Sequence, residues 1–251
     1  MIKVIMHGCN GKMGHTISKL IADDAQCELV AGIDLDTTQH FDYPVFTSLD
    51  LCDVDADVVI DFSVAPAVVP MLKAAISKNL GVVVCTTGLN DEQIAFVHET
   101  AHKVPILFSA NMSLGINLMA NLVKKATQVL TNANFDIEII EKHHNQKLDA
   151  PSGTALYIAD SINEALDEKY NYKYDRSTER IKRPKNEIGI HALRGGTIVG
   201  EHQVIFAGDD EVFEINHIAQ SKSIFAVGAV NAAKYLSSQA KGMYSMGDVI
   251  E

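Results

Sequence analysis

Along the first hundred residues, apolar and polar positions alternate in blocks whose period keeps switching. Lys3 to His7 is an apolar run closed by a glycine turn, and Lys12 to Ala22 carries its apolar residues at helical spacing. Glu28 to Ile33, Val58 to Phe62, Gly81 to Cys85 and Ile106 to Phe108 read as further strands. Helices over Ala67 to Ser77 and Asp91 to His102 fall between them. This βαβ alternation predicts a doubly wound parallel sheet, with ligands bound beyond the carboxyl ends of its strands.

After Ser109-Ala110-Asn111 the rhythm changes. A long helix over about Gly115 to Leu130 leads into Phe135 to Glu141, whose strict alternation suits a half-buried strand. Gly153 to Leu166 predicts another helix. Asp167 to Glu187 is polar and tyrosine-rich, with basic residues at Arg180, Lys182, Arg183 and Lys185, and reads as a loop, either surface connection or lid. Strands are expected at His191 to Leu193, Thr197 to Val199, His202 to Phe206 and Val212 to His217. A last helix, Ile224 to Leu236, has the small-residue pattern of one that packs back on the first domain. The fold class is therefore α/β: a Rossmann-like parallel sheet plus a second α+β domain with a mixed sheet. The expected division is residues 1–112 with 222–251, and residues 113–221.

Composition narrows the function. At 251 residues, 47% hydrophobic and 21% charged, the chain can bury a core without staples. No apolar run approaches the roughly 20 residues needed to span a bilayer. The opening segment is too soon broken by glycine for a secretory signal, so a cytoplasmic location is expected. A net charge of −11 argues against nucleic-acid or anionic-membrane partners but leaves a small anionic substrate open. Cys9, Cys27, Cys52 and Cys85 form no CxxC pair and read as small buried residues, with no metal expected.

Gly8-Cys9-Asn10-Gly11-Lys12-Met13-Gly14 joins the first strand to the first helix. Glycines at such a corner let the chain turn sharply and bring backbone N–H groups and a helix N-terminus to a pyrophosphate. The spacing is G-x-x-G-x-x-G rather than the commoner G-x-G-x-x-G. Asp34, about 20 residues beyond Gly14, ends the second strand, where an acid accepts the adenosine ribose hydroxyls. No base follows it at Leu35 or Asp36, so NADH is expected to serve at least as well as NADPH, with Lys12 a partial counterweight. Cys85, Thr86 and Thr87, and Ser109, Ala110, Asn111 and Met112, close the fourth and fifth strands and suit the nicotinamide ribose and carboxamide.

The richest stretch is Glu141-Lys142-His143-His144-Asn145-Gln146-Lys147-Leu148-Asp149-Ala150-Pro151-Ser152-Gly153-Thr154. Two histidines leave a strand, a lysine follows, and Ser152 is placed to cap a helix whose first residues, Gly153 and Thr154, offer N–H groups and a hydroxyl to a carboxylate. His144 and Lys147 add cationic or hydrogen-bonding partners. Adjacent histidines on an extended chain point apart, which disfavours zinc. One loop thus offers an anion cradle beside two proton donors, suited to a dicarboxylate acceptor.

That run resembles the E-x-H-H-x-x-K-x-D-x-P-S-G-T-A signature of the 4-hydroxy-tetrahydrodipicolinate reductases. The resemblance extends to Gly8–Gly14, to Val59-Ile60-Asp61-Phe62-Ser63, to Ser109–Ser113 and to Arg194-Gly195-Gly196-Thr197-Ile198-Val199-Gly200-Glu201-His202, covering essentially the whole chain. Two features depart from it. Cys85 stands where the family's G-T-T-G begins, and no arginine follows Asp34. The resemblance implies His143 as proton donor or acceptor, Lys147 as proton donor, and His144, Gly153 and Thr154 as substrate ligands. It further implies NAD(P)H-driven reduction in the lysine pathway, a homotetramer, and domain closure on ligand. Another two-domain dehydrogenase, or a sensor that binds NADH without turnover, would share the glycine loop but leave the histidine-lysine run unexplained.

Overall fold

Short Val and Ile runs buried on both faces are the signature of central parallel strands, and β4 (Val58–Asp61) and β5 (Gly81–Val84) are buried at every position. In the computed structural model, which describes residues 1–250, they lie at the centre of a seven-stranded sheet. The chain divides into two compact units, Met1–Ser113 with Ser223–Glu251, and Leu114–Lys222.

In the first unit the sheet order is β12-β6-β5-β4-β1-β2-β3, with every pairing parallel. The flanking strands are β1 (Ile2–His7), β2 (Cys27–Ile33), β3 (Val45–Phe46), β6 (Pro105–Phe108) and β12 (Gly242–Tyr244). Helices α1 (Lys12–Ala22), α2 (Ala65–Lys78) and α3 (Asp91–Thr100) provide crossovers. Asn90 and Gln93 close a reciprocal capping box at the start of α3. The last long helix, α6 (Ser223–Leu236), buries Ala226, Ala229, Ala232 and Ala233 and packs on α1, β4 and β5, before a short α7 (Met246–Ile250). Strand order reverses between β1 and β4, so the crevice beyond those two carboxyl ends is the switch point.

The second unit holds a mixed five-stranded sheet, β11-β10-β7-β9-β8. Its strands are β7 (Asp136–His143), β8 (Asn171–Lys173), β9 (Glu187–Arg194), β10 (Gly200–Ala207) and β11 (Val212–Ala219). Helices α4 (Leu114–Leu130) and α5 (Gly153–Glu164) complete it, and their residues join Ile137, Ile139, Ile188, Ile190, Val204 and Phe206 in one core. Along β7 the buried row reads Ile137, Ile139, Glu141, His143. The core face of the strand thus turns from aliphatic to ionisable at its carboxyl end.

The parallel sheet and the mixed second sheet agree with the sequence. Thr197 to Val199 does not form the expected strand. The chain there crosses over the end of β7, from β9 on one side to β10 on the other, held by Gly195 N–H to His143 O at 2.9 Å and Asn145 N–H to Gly196 O at 3.2 Å. The Asp167 to Glu187 stretch, read as a loop, contains β8 and ends at the first residue of β9. Arg183 fastens its later part, donating to Glu138, Asp136 and the Ile137 and Glu187 carbonyls.

Candidate active site

Two sets of candidate residues stand out, one in each unit. In the first, the Gly8–Gly14 turn leads from β1 into α1. Gly8 holds φ +83°, and a Cβ there would lie 2.4 Å from the Phe62 carbonyl oxygen; at Gly14 it would lie 2.4 Å from the Cys9 and Gly8 carbonyls. Only glycine permits this close corner. No side chain caps α1, which leaves its first-turn N–H groups for an external anion. Asp34, just past β2, accepts from Asn10 N–H at 3.2 Å and Asp36 N–H at 3.4 Å, which fixes its carboxylate beside the loop. Gly8, Gly11 and Asp34 line one cleft of about 580 Å³ with His7, Leu35, Phe62 and Ser63.

The sequence also singled out Cys85, Thr86, Thr87, Ser109, Ala110, Asn111 and Met112, and these line a second cleft of about 410 Å³ together with Phe108 and Phe225. Phe62 borders both clefts, so the two lie along one track on the sheet's carboxyl edge, as an extended dinucleotide requires. The Cys9 and Cys85 side chains are buried. Burial, with the nearby Asp34 charge, pushes the Cys9 thiol up to about 11, and burial raises Cys85 well above the ordinary thiol range. Neither is a nucleophile near neutral pH. Lys12 is exposed and Met13 half-buried on the first turn of α1. Beneath the clefts, His7 Nδ1 lies 2.8 Å from Asp61 Oδ1, off the line of its N–H, and the Ser63 hydroxyl donates to the same oxygen at 2.6 Å.

In the second unit the histidine-lysine run forms the connection from β7 to α5. Glu141 is fully buried, yet its carboxylate accepts four hydrogen bonds: His143 Nδ1 at 2.7 Å, Arg194 NH1 and NH2 at 2.7 Å each, and Ser152 N–H at 2.9 Å. Burial alone would raise its pKa, but these donors outweigh that and hold it below the usual glutamate range. For His143, burial prevails over the neighbouring carboxylate and lowers its pKa, with Lys147 and Arg194 acting in the same direction.

Ser152 caps α5 by accepting from Ala155 N–H at 3.1 Å, which leaves its single hydroxyl proton for His202 Nε2, also at 3.1 Å. The His202 ring meets that of His143 edge-on, centroids 5.2 Å apart. Burial, helped by His143, pushes His202 down to about 4. Lys147 Nζ contacts Asp149 Oδ1 at 2.9 Å. That bond and the Gly153 N–H hold the Asp149 carboxyl below its ordinary range. His144 is half-buried directly after β7, and Gly153 and Thr154 open α5. No group of three or more His, Cys, Asp or Glu side chains among the described residues is placed to hold a metal ion.

His143, Lys147 and Gly153 are thus gathered at one corner. Glu141, Arg194, Asp149 and His202 had been given no role of their own. The spacing of Glu141 and His143, two apart on an alternating strand, was the one local signal. Arg194 reaches Glu141 only because β9 runs parallel beside β7.

Residues 2–112 match the family of the dihydrodipicolinate reductase N-terminus and residues 115–250 that of its C-terminus. The chain is 53% identical to the 4-hydroxy-tetrahydrodipicolinate reductase of Caldanaerobacter subterraneus subsp. tengcongensis, covering 100% of this chain and 99% of that one. It is 48% identical to the Clostridium novyi protein of the same name, with the same coverage. Among solved structures, a dipicolinate-bound dihydrodipicolinate reductase from Paenisporosarcina sp. TG-14 matches with a TM-score of 0.82 at 27% identity, covering 98% of this chain and 97% of that one.

Proposed function

The chain belongs to the dihydrodipicolinate reductase family, and from that premise we propose that it reduces 4-hydroxy-2,3,4,5-tetrahydrodipicolinate to 2,3,4,5-tetrahydrodipicolinate with loss of water, in the diaminopimelate route to lysine. The observation that carries this reading is the β7–α5 corner. There a helix N-terminus, an ammonium and a buried imidazole stand together on eleven residues of chain, His143 to Gly153. A dicarboxylate suits that set, and the Paenisporosarcina relative holds dipicolinate.

A pyridine dinucleotide fits the first unit. The Gly8–Met13 turn would take the pyrophosphate, Asp34 the adenosine ribose, and the segments at Cys85–Thr87 and Ser109–Met112 the nicotinamide end. When bound, it supplies hydride to substrate C4. Asp34 repels a 2′-phosphate, and the reading keeps NADH at least as effective as NADPH.

In the second unit, His144, Gly153 and Thr154 bind the carboxylates, assisted by the favourable end of the α5 dipole. Departure of the 4-hydroxyl as water takes up a proton and gives one up from C5, leaving a conjugated imine; hydride addition at C4 then leaves an enamine-like system that takes up a proton at C5. Lys147 is a donor and His143 a donor or acceptor in these steps, and positioned general acids and bases contribute on the order of 10²–10⁴ in rate. Lys147 also offsets negative charge as it develops.

The same reading places the enzyme in the cytoplasm, in keeping with four buried, unbridged cysteines. It assembles the enzyme as a homotetramer through the second sheet, whose strands leave Leu193, Phe213 and Ile218 exposed. Freshly made synthase product, added to the protein with NADH, should bleach the reduced-nicotinamide absorbance. Turnover only with another imine or carbonyl compound would make it a different dehydrogenase, and binding without turnover a sensor.

A further inference from the structure

The reading above needs one nitrogen of His143 to face substrate, and two of its neighbours determine which. Nδ1 lies 2.7 Å from a Glu141 oxygen, on the buried side of the strand. Nε2 lies on the side of β10, 3.1 Å from where a Cβ on Gly200 would stand. We infer that Glu141 is a positioning residue for the proposed reduction: pinned by Arg194 and by the Ser152 N–H, it holds the His143 imidazole with Nδ1–H inward and Nε2 presented beside Gly200.

Each link follows from hydrogen-bond inventory. An ionised carboxylate only accepts, so the Nδ1 that faces it must be the N–H of the neutral ring. The carboxylate cannot rotate to release it, because both oxygens are engaged twice: Oε2 by His143 and Arg194 NH1, Oε1 by Ser152 N–H and Arg194 NH2. Those donors come from three segments, namely the end of β7, the end of β9 and the cap of α5. The imidazole is thereby tied to the same residue that opens the proposed carboxylate cradle. Gly200 completes the arrangement from β10, since a side chain there would crowd Nε2. The charged and titratable groups facing His143 are Glu141 on its own strand, Arg194 on β9, Lys147 on the following loop and His202 on β10.

Glu141→Gln changes the pattern in a predictable way. An NH2 at the Oε1 position would oppose two donors, Ser152 N–H and Arg194 NH2. At the Oε2 position it would oppose one, Arg194 NH1, and would donate to His143 Nδ1. The second orientation is favoured, and it forces the imidazole proton onto Nε2.

Imidazole ¹⁵N NMR on the protein with NADH bound reads the tautomer without reference to turnover. In wild type the neutral His143 should carry its proton on Nδ1, and in E141Q on Nε2. The kcat of E141Q should fall on the order of 10²-fold with NADH affinity unchanged, and the limb of its pH profile set by His143 should move to lower pH, since the carboxylate raises the His143 pKa. G200A leaves the tautomer intact and should lower kcat by crowding Nε2. A wild-type ring protonated on Nε2, an E141Q protein with the wild-type tautomer and pH profile, or a fully active G200A would overturn the inference. If E141Q fails to fold, the wild-type spectrum and G200A decide. The inference rests on the reductase reading, and the two fail separately: absence of turnover by wild type refutes the reading, whereas the tautomer is read either way.

Discussion

Acid should loosen this protein through His202, by an amount that follows from its surroundings. The ring is 5% exposed, accepts from Ser152 and neighbours a second imidazole, and its pKa falls from 6.5 to about 4. The folded state therefore binds this proton later than the unfolded chain as pH drops. Between 6.5 and about 4 the unfolded chain holds more protons, so stability declines with falling pH across that window and is fully present above it. At about pH 5 the two values correspond to a loss of about 2 kcal/mol, rising to about 3 kcal/mol below pH 4.

The perturbation is His202→Gln, whose amide oxygen can still accept the Ser152 hydroxyl but cannot titrate. Urea unfolding at one fixed protein concentration, at about pH 7.5 and about pH 5, gives the loss for each protein. The wild type should lose about 2 kcal/mol more than the variant over that interval. Burial lowers His143 and His217 as well, so some decline should persist in the variant. Equal losses in the two proteins would show that His202 is not the neutral buried group described here.

Asp34→Asn should raise the NADPH-to-NADH ratio of kcat/KM about tenfold, since two phosphate charges about 5 Å from a half-exposed carboxylate cost on the order of 1.5 kcal/mol; an unchanged ratio, or a wild type favouring NADPH more than tenfold, refutes the assignment. Lys147→Ala and His143→Ala should each lower kcat by about 10²-fold or more with NADH affinity nearly unchanged, checked by steady-state kinetics and fluorescence titration. Gly8→Ala, strained by positive φ and by the Phe62 carbonyl, should abolish NADH binding in the same titration. Asp149→Asn removes a screened, half-exposed competitor for Lys147 and should tighten dipicolinate about fivefold by calorimetry.

What the sequence made legible was what local pattern encodes. Alternation along Phe135–Glu141 marked the strand, and uninterrupted Val and Ile at β4 and β5 marked the parallel core. Glycine spacing and the Ser152-Gly153-Thr154 corner marked the starts of α1 and α5. Thr197–Val199 misled because its β-branched residues satisfy strand propensity while the chain must bridge over β7. The hub at Glu141 was hidden for a similar reason. Its partner Arg194 is 53 residues away, and only the parallel pairing of β7 with β9 brings them together.

That hub bears on how a chain of net charge −11 would hold a dianion at the proposed site. An excess of cations at the β7–α5 corner is not how it is done: Arg194 is paired with Glu141, and Lys147 with Asp149. The two pairs differ in what they permit. Arg194 is committed by a bidentate bond to a carboxylate with no exposure, so its charge serves the framework and is closed to substrate. Asp149 is 57% exposed on its side chain and pairs with Lys147, with the Gly153 N–H also lowering its pKa, the same kinds of donor proposed for the substrate. A substrate carboxylate can therefore replace Asp149 by exchanging partners at little electrostatic cost, because one carboxylate–ammonium contact is traded for another. On the proposed assignment, binding draws on the fixed geometry of the corner more than on net attraction, and the rigidity supplied by Glu141 is the property that substrate recognition and proton delivery would share.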